Sequence, residues 1–121
     1  TGNTSISDQN ATLVLQTMTG DGVAMAATTE MMLIDIGTYA TDALIEAAFA
    51  ASELTFTVGN AVTDDDAFLI AYKTGTDINL AVAQMNGTGT SSDGIDGVET
   101  FLTLQGVTDF TDLNSGDFII S

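Results

Sequence analysis

The side chains in this sequence that could do chemistry are almost all carboxylates. Seventeen Asp and Glu face one basic residue, Lys73, and the chain has no Arg, no His and no Cys, for a formal net charge of −16. Ser and Thr are plentiful, but Lys73 is the only cationic base available to activate them. Zinc would need Cys or His, and no Gly-rich phosphate loop is followed by Lys. Two carboxylates could form a glycosidase pair, but six Phe, two Tyr and no Trp give no obvious sugar platform. The expectation is a protein that is not an enzyme.

Clustered carboxylates are better suited to calcium, which takes about six to eight hard oxygens from carboxylates, carbonyls and water. Asp64, Asp65 and Asp66 form one run. Asp93 and Asp96 stand three apart in a Gly-rich loop, DGIDG, whose carbonyls can turn inward. Both sets are candidate calcium ligands. The competing reading is that Asp is a favoured turn residue. That reading takes precedence for Asp21 and Asp77, which sit in expected hairpin turns. None of these acids follows the EF-hand spacing.

The same charge restricts partners. Binding phosphate requires Lys or Arg, so nucleic acid and anionic membrane are excluded. A charge of this size also repels itself and weakens the compact state, so salt or divalent cations must offset it. No run of about eighteen apolar residues exists, so no membrane insertion is expected. No disulfide framework is possible without Cys. The sequence starts at Thr1 with no basic and apolar leader, which suggests a processed chain or a piece of a longer product. Its 121 residues, 45% of them apolar, suit one globular domain. Sequons occur at Asn3, Asn10 and Asn86 and matter only where asparagine is glycosylated.

Most segments read as strands. Residues 11–18 (ATLVLQTM) are β-prone and follow a polar start, and Thr19-Gly20-Asp21-Gly22 is a turn signal. Met31 to Ile36 reads as a strand, and residues 54–58 alternate apolar residues with Thr. Residues 67–73 (AFLIAYK) and 78–85 (INLAVAQM), joined through Thr74-Gly75-Thr76-Asp77, predict a hairpin. Residues 98–105 (VETFLTLQ) and 117–120 (DFII) are the last strands. One helix is expected over about 42–52, capped by Thr41 or Asp42, with Leu44, Ile45, Ala48 and Phe49 on one face. The fold class predicted is mainly β: an antiparallel β-sandwich or β-roll with one short α-helix.

The last part of the chain, about residues 64–121, resembles the C-terminal region of type I-secreted, calcium-dependent surface proteins of the RTX class. The matching pieces are the strand INLAVAQMN, the acidic loop Asp93-Gly94-Ile95-Asp96-Gly97, the strand VETFLTLQGV closing on Leu-x-Gly-Val, and the ending LNSGDFIIS. Residues 65–72 (DDAFLIAY) also resemble a strand of such domains. The resemblance implies export that reads the C-terminal tail and folding outside the cell as calcium becomes available. Asp117, Phe118, Ile119 and Ile120 carry over as the export-type tail. The Gly-Gly-x-Gly-x-Asp nonapeptide repeats of that class are missing, so its calcium ligands do not carry over.

Elimination and composition point to an extracellular or cell-surface structural subunit whose partners are copies of itself, assembled into a filament or surface layer. The alternatives are a calcium-dependent adhesin or glycan-binding module, and a passive secretion domain of a larger protein that engages a type I exporter. Residues 1–18 read as an N-terminal β segment ahead of a single domain at 19–121. Leu13, Val14 and Leu15 must be buried somewhere. They can pair within their own domain or complete the sheet of a neighbouring subunit.

Overall fold

The computed structural model describes residues 11–26, 28–62, 67–86, 89–117 and 119–120. The chain is mainly β, with one α-helix among the described residues, as the sequence predicts. Its centre is the hairpin of β6 (Ala67–Lys73) and β7 (Asp77–Met85), in register from Ala67 opposite Gln84 to Lys73 opposite Ile78. The turn is closed by Thr74, whose N–H donates to the Asp77 carbonyl at 2.9 Å and whose Oγ1 accepts from the Asp77 N–H at 3.1 Å. Gly75 takes φ +107, which a side chain would resist.

The hairpin lies within a five-stranded sheet of order β2-β4-β6-β7-β9, with β2 at Leu15–Met18, β4 at Met31–Ile34 and β9 at Ile95–Gln105. β7 pairs antiparallel with β6 and β9, but β2, β4 and β6 run parallel. This parallel half is a feature that the expected antiparallel sandwich lacks. A parallel neighbour needs a long crossover, and residues 35–66 supply one between β4 and β6. The sign in the sequence is MMLI: all four side chains of β4 are buried, as in a strand covered on both faces.

A second sheet, β3 (Val23–Ala24), β5 (Phe56–Val62) and β8 (Gly89–Ser91), covers one face together with α1 (Asp42–Ala50). Between the sheets, Phe56 meets Phe49 and Phe68 edge to face, each pair with ring centroids 5.7 Å apart. The buried Ser92 ties the layers, accepting from the Phe56 N–H at 2.9 Å. The turn at residues 19–22 is not a hairpin: β2 and β3 belong to different sheets, and Asp21 accepts from the Thr55 N–H at 3.1 Å.

Helix α1 starts where the sequence places it. Thr41 is extended, and its Oγ1 accepts from the Leu44 N–H at 3.3 Å. Ile45, Ala48 and Phe49 face the core, while Leu44 is 53% exposed and lies off the apolar stripe. Thr41→Ala should cost about 1 kcal/mol through the lost cap. A urea midpoint that does not move would show that this bond does not hold the helix.

The opposite face buries Leu13, Met31, Leu33, Ala71, Ile78, Leu80 and Phe110. Residues 107–113, which include a 3-10 turn at Phe110–Asp112, supply the cover. Lys73 reaches into this region, donating to Asp35 at 2.5 Å with its ammonium 5.8 Å from the Phe110 ring centroid. β1 (Ala11–Thr12) pairs antiparallel with β10 (Ile119–Ile120), bringing both ends of the described chain together.

Candidate functional site

The expected assembly residues divide by position. Leu13 is buried at 5% exposure and Leu15 packs partly against the same cluster, but Val14 is 43% exposed. Within the single chain, two of the three are therefore covered, and Val14 points outward between two inward neighbours. In the single chain, residues 15–18 are the outermost strand of their own sheet, parallel to β4 from Leu15 opposite Met31 to Met18 opposite Ile34. Among the described residues no strand pairs with the outer edge of β2, and none pairs with the outer edge of β9.

β9 is the longest strand among the described residues and carries two exposed apolar side chains, Phe101 at 56% and Leu102 at 46%. They sit at a bulge. Thr100 opposes Ala81 and Leu102 opposes Leu80, leaving Phe101 as the extra residue. The bulge resets the alternation, so Thr100 faces α1 while Leu102 and Leu104 face the opposite layer.

At Thr100 the outer edge of β9 is closed by a carboxylate. Asp42, the first residue of α1, accepts from the Thr100 N–H at 2.9 Å and from the Thr100 hydroxyl at 2.5 Å. It also accepts from the fully buried Tyr72 hydroxyl at 2.5 Å. Asn79, opposite Tyr72 on the hairpin, donates to the same hydroxyl at 3.0 Å and accepts from Thr103 at 2.8 Å. Burial works to raise the Asp42 carboxyl. The Thr100 hydroxyl, the Tyr72 hydroxyl and the Thr100 N–H together outweigh it and hold the group below its ordinary value of 3.8. Burial first, then the bond to Asp42, pushes the Tyr72 hydroxyl above 10.0. By sequence Asp42 is only a candidate helix cap. The available signal was Tyr72, a polar-tipped ring in phase with Phe68 and Ile70, whose hydroxyl needs a partner once buried.

Asp64, Asp65 and Asp66 lie outside the described residues. Asp93 is exposed in a 3-10 turn at Ser92–Gly94, and Asp96 is exposed at the start of β9. Among the described residues no three carboxylates come together as a metal-binding group. Asp77 serves the hairpin: its carboxylate accepts from the Gly106 N–H at 2.9 Å. In the expected export tail, Asp117 closes a short turn by accepting from the Asn114 N–H at 2.8 Å. Phe118 lies outside the described residues, and Ile119 and Ile120 form β10.

The chain matches no family model, no curated protein and no solved structure.

A cleft of about 190 Å³ beside β9 is lined by Glu46, Val82, Gln84, Gly97, Val98 and Glu99. Its lining has two carboxylates and no aromatic ring against which a sugar could stack. No helix among the described residues is long and apolar enough to cross a membrane.

Proposed function

We propose that this chain is an extracellular structural subunit that assembles with copies of itself into a filament or surface layer, with calcium offsetting its charge. The supporting observation is that, among the described residues, no strand pairs with the outer edge of either outer strand of the five-stranded sheet, one of them bearing the exposed Phe101 and Leu102. Uncovered strand edges are templates for pairing with another chain, and proteins that stay monomeric usually blunt them. Backbone pairing and apolar burial need no opposite charge, so this mode of association suits a chain with one cation. The charge sets its condition: copies approach only when the medium screens them. On this reading export reads Asp117, Phe118, Ile119 and Ile120, and calcium engages Asp64, Asp65, Asp66, Asp93 and Asp96 outside the cell.

Light scattering and electron microscopy of the purified chain test the reading. Polymers are expected to form in millimolar calcium and to shrink or dissolve with chelator. A sodium chloride control at matched ionic strength separates bound calcium from general screening, which acts over about 10 Å at 0.1 M salt. Equal polymer in both would remove calcium from the reading and leave assembly. A monomer under every condition would overturn the assembly itself.

A further inference from the structure

The two outer strands of the main sheet point the same way. β2, β4 and β6 are parallel, β7 is antiparallel to β6, and β9 is antiparallel to β7, so β9 runs parallel to β2. A second copy displaced along the sheet without turning over brings its β2 beside the first copy's β9 as one more parallel ladder. That contact is head to tail, leaves a free edge at each end and does not close on itself, so it propagates.

Both edges lack two of the usual defences, proline and lysine, although β2 is short and β9 carries the bulge at Phe101. Proline is absent from the chain, and the one Lys lies on β6 inside the sheet. β2, LQTM, carries no charge, and neither do residues 101–105 of β9, FLTLQ, in a chain holding seventeen acids. The Asp42 carboxylate occupies the β9 edge at Thr100, so the open part is residues 101–105. Residues 102–105 of that stretch can face the four residues of β2. Charge selects the occupant. A basic partner would be drawn to the acidic loops, whereas another copy of a chain with net charge −16 can approach only where acids are missing.

We infer that copies join by pairing the outer edge of β2 of one subunit with residues 101–105 of β9 of the next. The inference rests on the self-assembly reading and names its joint. β2 remains in its own sheet, which distinguishes this joint from exchange of the N-terminal segment between subunits.

A chain without Cys makes the test direct, because introduced thiols have no competitors. Leu15→Cys and Leu102→Cys place thiols on one face, since Leu15 opposes Met31 and Leu102 opposes Leu80 within the same buried cluster. Within one chain they stand on opposite edges of the sheet, at least about 19 Å apart across four interstrand spacings. A disulfide bridges at most about 7 Å between Cα atoms, so a bond between them reports two subunits. After circular dichroism confirms that both variants fold, the two are mixed and mildly oxidised under polymer-forming conditions. The mixed disulfide is expected to exceed either self-dimer, and the double variant is expected to give a ladder of oligomers. A dominant Leu102→Cys self-dimer would overturn the joint in favour of closed two-fold pairing of β9. Polymers that form without any disulfide would overturn it too and leave the self-assembly reading intact. Monomers throughout would overturn both.

Discussion

Asp42→Ala is expected to lower the folding free energy by about 2–4 kcal/mol. The carboxylate accepts from the Tyr72 hydroxyl, the Thr100 hydroxyl and the Thr100 N–H. Bonds to a charged acceptor contribute about 1.5–3 kcal/mol each, less in sum because they share one group, and a buried donor left without a partner costs about 1–3 kcal/mol. Tyr72 is fully buried, so water cannot easily replace the lost acceptor. Asp42→Asn keeps an oxygen at the site and should recover part of the loss. Urea unfolding at neutral pH checks both variants. An Ala variant within about 0.5 kcal/mol of the parent, the range of ordinary surface substitutions, would show that the cluster does not hold α1 to the sheet.

The same cluster fixes a pH dependence whose sign can be stated. Asp42 titrates below its ordinary 3.8 in the folded chain, so its contribution is present above 3.8 and is lost as the pH falls through the folded value. Lowering the overall charge of −16 by protonation acts in the opposite direction, because it relieves repulsion, although Asp109, held below its ordinary value by the Thr111 N–H, shares the sign of Asp42. The stability gap between parent and Asp42→Asn isolates the one from the other. It should be constant near neutrality and close in strong acid. Tyr72 works at the alkaline end: its folded value lies above 10.0, so its contribution is intact below 10.0 and is lost as the pH rises through the folded value.

Local elements were legible in the sequence because local chemistry determines them. Thr74-Gly75-Thr76-Asp77 fixes the turn and thereby the register of β6 and β7. Thr41 satisfies an orphan N–H at the start of α1. Features that depend on distant segments were not legible. The parallel pairing of β2, β4 and β6 follows from crossovers; the apolar run MMLI signals a strand covered on both faces but does not say which strands lie beside it. Leu44 matches the helical stripe by spacing, yet it is exposed while Ile45, Ala48 and Phe49 are buried. The Asp42 cluster draws residues 42, 72, 79, 100 and 103 from four elements, so only the finished topology brings them together. The bulge at Phe101 was hidden for a related reason: VETFLTLQ reads as a continuous strand, and the extra residue shows only against β7.

Removing residues 1–18 is expected to have the largest effect, on stability and on assembly together. The deletion takes away β1 and β2, and with them Leu13 at 5% exposure and Met18 at 0%. Truncating one buried Leu or Met costs about 2–5 kcal/mol, against a total stability of about 5–15 kcal/mol for a domain. Most of the fold's margin is therefore at stake, and the shortened chain should melt far below the parent or fail to fold. It also leaves the outer edge of β4 without its parallel partner and β10 without β1. Polymers should disappear, since the edge presented by β2 is gone. A synthetic peptide of residues 1–18 added in trans should refill the slot beside β4. At 100 times its Kd it would restore about 2.7 kcal/mol, visible as a rise in melting temperature that depends on peptide concentration. Recovery of the fold without recovery of polymers would mean that these residues complete their own domain but do not form the joint. A shortened chain as stable as the parent would contradict the buried positions of Leu13 and Met18. A slot that accepts the peptide can also accept the same segment from a neighbour, so complementation decides whether strand exchange is open to this chain alongside edge pairing.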